Sequence, residues 1–375
     1  MKKIKVVQFL PYFPPHKWGL ETVAEEFSKY FVSEWCWEVL NVTFSVGQES
    51  LQSYEKDGYK VLILPAFDIV PNYPFPKFWT KQFWTVLKET KKRNPNIIQT
   101  HTRFFLSTFL GGICAKIWKK KWVHVEHGSG FVKWLVRRKS FFANLYDHTF
   151  GRLCFNASDQ IVAISKGNIS FIRKFSKTPV EVIYRGLDFP EIRGKEKKSD
   201  IISIGFIGRL VKLKGVDILI AAFSELLKKN QKVNLEIVGD WEEMETLRNQ
   251  VKNLWLEKHV NFWGYQEREK VQSQILPSFD IFVNPSLQEG LPTTVIEALL
   301  AECIVVATDV GWTKEITNKW DFFLIKPWSV DALRNWLEQA LNVVWKENGA
   351  SYQNVKEKFD WKIWVKQYLD VYNKT

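Results

Sequence analysis

Short runs rich in β-branched and aromatic residues alternate with stretches of helical period along this chain. In the first half the strand-like runs are Ile4–Leu10, Val39–Ser45, Tyr59–Leu64, Ile97–Thr100, Trp122–Glu126, Gln160–Ile164 and Val180–Tyr184. Helical patterns fill most gaps, for example Leu20–Phe31 and Phe104–Trp118. The pattern restarts in the second half with Ile201–Ile207, Asn234–Val238, Val260–Trp263, Ile281–Asn284 and Ile304–Thr308. Strands alternating with helices predict parallel sheets covered by helices on both faces. Between the halves, residues 190–200 are charged and nearly free of apolar side chains, which predicts a domain boundary. Open parallel sheets bind ligands at the carboxyl ends of their strands, so two such domains are expected to face a central cleft.

Length agrees with this division, since 375 residues exceed one ordinary core. A composition 46% hydrophobic and 25% charged is that of a globular protein. No apolar run reaches the 18 or so residues that span a bilayer. The start, Met1 to Leu10, is charged and then briefly apolar, with Pro11, Pro14 and Pro15 following; it reads as a first strand and not a signal peptide. Cys36, Cys114, Cys154 and Cys303 lack metal spacing and read as free thiols, in keeping with a reducing cytoplasm. The net charge is +12, and part of it gathers in Lys116, Lys119, Lys120 and Lys121 and in Lys133, Arg137, Arg138 and Lys139. The second group interleaves with Phe131, Trp134, Leu135 and Val136. Such a face is either simply solvated or docks on an anionic membrane surface. Nucleic acid is not expected, because no nucleic-acid-binding motif accompanies the charge.

Candidate chemistry concentrates in the second half. Glu289 and Glu297 lie on either side of a loop-to-helix junction marked by Pro292 and the apolar run Val295, Ile296, Ala298, Leu299. Pro suits the first turn of a helix, and the free N–H groups there attract phosphate. An anion cradle flanked by two carboxylates, which accept from sugar hydroxyls, suggests a nucleotide-sugar site. A second motif runs from Gly208 and Arg209 to Lys214 and Gly215, between a strand and a helix. Its two cations suit a diphosphate leaving group. There is no Asp-x-Asp and no His/Asp/Glu cluster with metal-ligand spacing, so neither a metal nor another cofactor is expected.

These residues resemble the retaining family-four glycosyltransferases over nearly the whole chain. The resemblance implies an α/β, GT-B fold: two Rossmann-like doubly wound domains facing a central cleft. It implies an acceptor domain over 1–190, a linker over 191–200, a donor domain over 201–357, and a last helix, 358–375, crossing back to the first domain. Carried over by position, Arg209 and Lys214 bind the donor diphosphate and Glu297 holds the ribose hydroxyls. Glu289 and the amides of Gly290 and Leu291 hold the donor sugar. Gly208, Gly239, Tyr265 and Gln266 wall the nucleotide. In the first half, Gly19 belongs to a loop that approaches the diphosphate. His127 faces the transferred sugar, while His16 and His101 belong to the acceptor side. Ser165 reads as a helix cap.

The implied reaction moves a hexose from a UDP- or GDP-sugar to a glycan or lipid-linked acceptor in cell-surface polysaccharide or glycolipid synthesis, with retention. The catalytic set is His127, Glu289, Arg209 and Lys214, working without a metal on the cytoplasmic membrane face. The alternative is a catalytically impaired carbohydrate or nucleotide-sugar binder of the same fold.

One departure favours that alternative. The chain has 18 tryptophans against 19 glycines. Trp18, Trp118, Trp241, Trp312 and Trp328 stand where the family has glycine. Loops that need positive φ or close backbone approach to phosphate disfavour a large side chain. The reading is that these positions are UGA codons, read as glycine in the source and as tryptophan in this translation. Trp134, Trp361 and Trp364 read as true aromatics.

Overall fold

A computed structural model describes residues 4–14, 19–35, 37–45, 53–70, 73–128, 144–190, 200–229, 231–344 and 349–374. The chain divides into two units, Met1–Gly186 with Trp361–Thr375, and Leu187–Asp360.

The first unit holds one sheet, of nine strands among the described residues. These are β1 (Lys5–Phe9), β2 (Glu38–Ser45), β3 (Ser53–Lys56), β4 (Tyr59–Val70), β5 (Tyr73–Pro76), β6 (Ile97–His101), β7 (Lys121–Glu126), β8 (Gln160–Ala163) and β9 (Val180–Val182). Their order is β3-β4-β2-β1-β6-β7-β8-β9, with β5 on β4. Pairing is parallel except where β3 and β5 join β4. The order reverses between β1 and β6, the place where such sheets receive ligands at their strand ends. Helices α1 (Gly19–Trp35), α2 (Lys81–Lys92) and α3 (Leu106–Trp118) follow β1, β5 and β6.

The second unit repeats the plan more simply. Strands β10 (Ile202–Ile207), β11 (Val233–Val238), β12 (Val260–Gly264), β13 (Ile281–Asn284), β14 (Ile304–Thr308) and β15 (Phe322–Ile325) stand in the order β12-β11-β10-β13-β14-β15. All are parallel, and the order reverses between β10 and β13. Both β13 and β14 are buried throughout, as parallel strands covered on two faces must be. Helices α4 (Val216–Leu227) and α5 (Thr293–Leu300) follow β10 and β13.

The last helix, α6 (Trp361–Lys374), belongs to the first unit. Its Trp364, Tyr368 and Tyr372 pack with Phe27 and Phe31 of α1, and Trp361 stacks on Tyr30 at 4.5 Å. A Cβ at Gly186 would lie 2.6 Å from the Trp361 Cα and 2.6 Å from the Trp364 Cβ, so glycine lets the helix approach.

Three strands were not among those expected. The residues of β3, Ser-Tyr-Glu-Lys, are polar and sit at a sheet edge. β5 contains two prolines, which demote a run to an edge position. Its pairing with Ala66 and Phe67 carries β4 past Pro65, beyond the predicted end. β15 is a short edge strand. The cap at Ser165 is present: its side chain accepts from the Asn168 amide. Cys114, Cys154 and Cys303 are buried thiols that form no disulfide, and burial pushes the Cys114 and Cys154 thiols up to about 12. Cys36 and the Lys133–Lys139 group lie outside the described residues.

Candidate functional site

In the second unit, the two chemical motifs leave neighbouring strands at the reversal of strand order. Gly208 follows β10 and Gly239 follows β11. The Gly208 amide donates to Val238 O at 3.0 Å. Gly239 has φ +138, and a Cβ there would lie 1.9 Å from Gly208 O. No other residue type fits so close an approach. Gly215 heads α4 with φ +64, and its Cβ would lie 2.3 Å from Pro285 O. The Leu287 amide donates to Leu213 O at 2.8 Å, tying the same two loops.

This contact sets the central pair. Lys214 Nζ lies 2.6 Å from Glu289 Oε1, and both side chains are mostly buried. Ser286 Oγ lies 2.6 Å from the same carboxylate oxygen and 2.6 Å from Asn284 Oδ1. Thr308 Oγ1 donates to Ser286 O. Sequence reading missed Ser286, Asn284 and Thr308, because their role depends on β14 lying beside β13. Gly311 presses on the same loop: it has φ +58, and a Cβ would lie 2.2 Å from Glu289 O and 2.6 Å from Gly290 O. The Trp312 amide donates to Gly290 O at 3.1 Å.

Glu297 lies on α5 and is 7% exposed. Its Oε1 accepts from Gln272 Nε2 at 3.0 Å and from the Arg268 guanidinium at 3.4 Å. Those partners come from a segment that carries no motif, so only the fold brings them in. Leu291 is half-buried and Gly290 exposed at the loop before α5. Arg209 lies over the Trp241 ring at 5.7 Å. Tyr265 is exposed, and Gln266 Nε2 donates to Trp263 O at 2.8 Å.

In the first unit, Gly19 opens α1 with open space where a Cβ would stand. His16 lies outside the described residues. His127 and His101 come together: His101 Nδ1 is 3.2 Å from His127 Nε2. The expectation that His101 belongs to the acceptor side meets a ring only 1% exposed, with Nε2 2.8 Å from Gln8 Oε1. It supports His127 from behind. His127 is partly exposed. Burial pushes its imidazole down to about 4, with His124 and Arg185 adding to the fall and Glu126 opposing it. Burial, with His127 and His124 nearby, holds His101 well below its ordinary value.

Beneath the pair lies a buried ionic network that sequence reading missed. Arg103 reaches Glu126 Oε1 at 3.0 Å and Asp147 Oδ1 at 2.8 Å. The Gly128 amide donates to Glu126 Oε1 at 2.6 Å. Burial alone would raise the Glu126 carboxyl, but Arg103 and His124 hold it at about 2. The turn that carries His127 is therefore tied through Gly128 and Glu126 to Arg103.

The suspect tryptophans divide on backbone grounds. Among the described residues, eight non-glycine positions have positive φ, and three are tryptophan: Trp241 at 152°, Trp255 at 59° and Trp328 at 69°. Aromatic residues avoid this region, whereas the Asp and Asn of the same set tolerate it. Trp241 and Trp328 thus sit in backbone that favours glycine, and Trp255 joins them although no sequence motif singled it out. Trp312 has φ −113 and is buried, and Trp118 ends a regular helix, so neither backbone demands glycine. Trp18 lies outside the described residues.

Known proteins share this construction. Residues 188–356 match the family described as glycosyl transferases group 1, and residues 19–189 match glycosyltransferase family 4. An uncharacterized glycosyltransferase of Methanocaldococcus jannaschii is 32% identical over 393 aligned positions, covering 100% of this chain and 99% of that protein. A phosphatidylinositol N-acetylglucosaminyltransferase chain of Arabidopsis thaliana is 24% identical, over 99% of this chain and 82% of its own length. Among solved structures, sucrose-phosphate synthase from Thermosynechococcus elongatus superposes with a TM-score of 0.78 at 18% identity, over 100% of this chain and 99% of that one. HepE of Anabaena in complex with UDP does so at 0.75 and 18%, over the full length of both.

Proposed function

This chain belongs to the group 1 glycosyl transferases of the GT-B fold, and we propose that it moves a hexose from a UDP- or GDP-sugar, with retention, to a glycan or lipid-linked acceptor of the cell surface. The observation that carries the reading is the Lys214–Glu289 pair at the strand-order reversal of the second unit, with Glu297 on the helix that follows. In this reading Lys214 and Arg209 take the diphosphate, Glu289 and the amides after it take the sugar, and Glu297 takes the ribose hydroxyls. The dipole of α5 adds partial positive charge where phosphate charge develops.

The chemistry needs no further group. The bond from the anomeric carbon to the diphosphate oxygen breaks, and the nucleoside diphosphate leaves with the electron pair. The acceptor oxygen bonds to that carbon on the same face and passes its proton to a diphosphate oxygen. Lys214, held by Glu289 before the donor arrives, moves its charge to the leaving group. A lipid-linked acceptor is favoured by the name of the Arabidopsis relative and by the exposed Ile113 and Ile117 beside Lys116 on α3. Such a face suits an anionic membrane surface on the cytoplasmic side. Among the described residues, no helix is long and apolar enough to cross a membrane.

One observation favours the second reading, of an impaired enzyme. Trp241, in strained backbone, lies against Arg209 and competes with the diphosphate for that cation. The test of the main reading is proton NMR of the product made from an α-linked donor. An α-linked product supports it; a β-linked product, or release of free sugar as the sole reaction, contradicts it.

A further inference from the structure

Beneath His127 a row of polar side chains crosses the middle of the first sheet. Asn41, Gln8 and Gln99 are register partners on β2, β1 and β6, and each is wholly buried. Three uncharged polar groups in the centre of an apolar sheet gain little for stability, since each must be fully satisfied merely to offset its loss of water. Their hydrogen bonds run in a single direction.

The direction starts from a backbone carbonyl, which can only accept. Ser28 Oγ donates to Ala24 O at 2.8 Å, so its oxygen is left to accept from Asn41 Nδ2 at 2.9 Å and from Gln8 Nε2 at 3.1 Å. Gln8 Nε2 also donates to Asn41 Oδ1 at 2.8 Å. The amide nitrogen of Gln8 therefore faces α1, and its Oε1 faces β6. There Oε1 accepts from Gln99 Nε2 at 3.1 Å and lies 2.8 Å from His101 Nε2. Gln99 is oriented by Tyr372 of α6, whose hydroxyl donates to Gln99 Oε1. An acceptor 2.8 Å from His101 Nε2 requires a proton on that nitrogen. A bare Nε2 taking a proton from Gln99 at 3.2 Å would leave two lone pairs opposed at the shorter distance.

The rest follows from the neutral imidazole, which carries one N–H and one lone pair. With its proton on Nε2, His101 presents Nδ1 as an acceptor, and the group before it is His127 Nε2 at 3.2 Å. His127 must then carry its own proton on Nε2. Burial keeps both rings neutral near pH 7.

We propose that Tyr372, Gln99 and Gln8 fix the tautomer of His101 and, through it, that of His127, so that His127 meets its ligand with Nδ1 as a hydrogen-bond acceptor. His101 is a positioning residue. The ligand of Nδ1 is then a hydroxyl group and not a carboxylate, whose charge the lone pair would repel. The same polarity excludes neutral His127 as a proton donor through Nδ1.

The test is a long-range proton–nitrogen correlation spectrum of the full chain with ¹⁵N-labelled histidine at neutral pH. Signals are assigned with His101→Phe and His127→Phe. The expected result is protonated Nε2 and bare Nδ1 for both rings in the unsubstituted protein; Nδ1–H on His127 overturns the proposal. Gln8→Met is expected to give His127 mixed tautomers and to lower kcat/KM at least tenfold, measured below the lowered melting temperature that its unpaired buried neighbours imply. An unchanged His127 spectrum in that variant also overturns it. If no nucleotide-sugar binds at all, the donor reading fails while the tautomers still report on the relay.

Discussion

Lys214 and Glu289 are each the other's partner before any donor binds. Removing the lysine leaves a carboxylate without its cation and a diphosphate without its proposed counter-charge. Lys214→Ala is therefore expected to lower kcat by roughly tenfold or more at saturating donor, as losing one transition-state charge contact does; near-normal turnover would remove its role. Trp255 allows a cleaner residue-level test, because its side chain is 87% exposed and its backbone has φ 59°. Trp255→Gly should raise stability by roughly 1 kcal/mol through relief of left-handed strain, and Trp255→Ala, which keeps a Cβ, should gain much less. Urea unfolding measures both. The codons give an independent check: UGA at 241, 255 and 328 is expected, and UGG at all three would end the reassignment. That Arg209, Lys214, Glu289 and Glu297 lie at strand-to-helix turns was legible, because their spacing brackets those turns. Trp255 was not, since nothing but the backbone marks its position.

At the scale of elements, loops after β10, β13 and β14 fit together through glycines that leave no room for a Cβ. Gly311→Ala is expected to push the Gly290 loop away and weaken nucleotide-sugar binding at least tenfold, with the second unit still folded; isothermal titration calorimetry measures this. The strand and helix order was readable from hydrophobic period alone, because buried parallel strands such as β13 and β14 are continuous apolar runs. Polar and proline-bearing edge strands, β3 and β5, were not. Nor were Arg103, Glu126 and Asp147. They lie on separate elements, and only the ends of β6 and β7 bring them into one buried network.

At the scale of the molecule, the polar interior of the first unit makes stability depend on pH. Burial pushes the folded pKa of His127 from 6.5 down to about 4, with His124 and Arg185 adding to the fall and Glu126 opposing it. The unfolded chain then binds more protons than the folded one between those values, so stability falls as pH drops through that window. Urea midpoints are expected to decline from near pH 6.5 toward pH 4, and less steeply in His127→Phe; equal slopes would contradict the lowered imidazole pKa. The chain enters the second unit at Leu187 and leaves it at Asp360, which meet in one parallel bridge, so both crossings lie side by side.

The central claim is that the second unit holds a nucleotide-sugar through Lys214, Glu289 and Glu297. A thermal-shift panel of UDP- and GDP-sugars tests it most directly. A matching donor at a hundred times its Kd stabilises by about 2.7 kcal/mol, a shift of several degrees. One hexose donor is predicted to produce that shift, to lose it in Glu289→Ala, and to gain in Trp241→Gly, where Arg209 is freed. No shift with any nucleotide-sugar, in either the chain or its Trp241→Gly variant, would contradict the account.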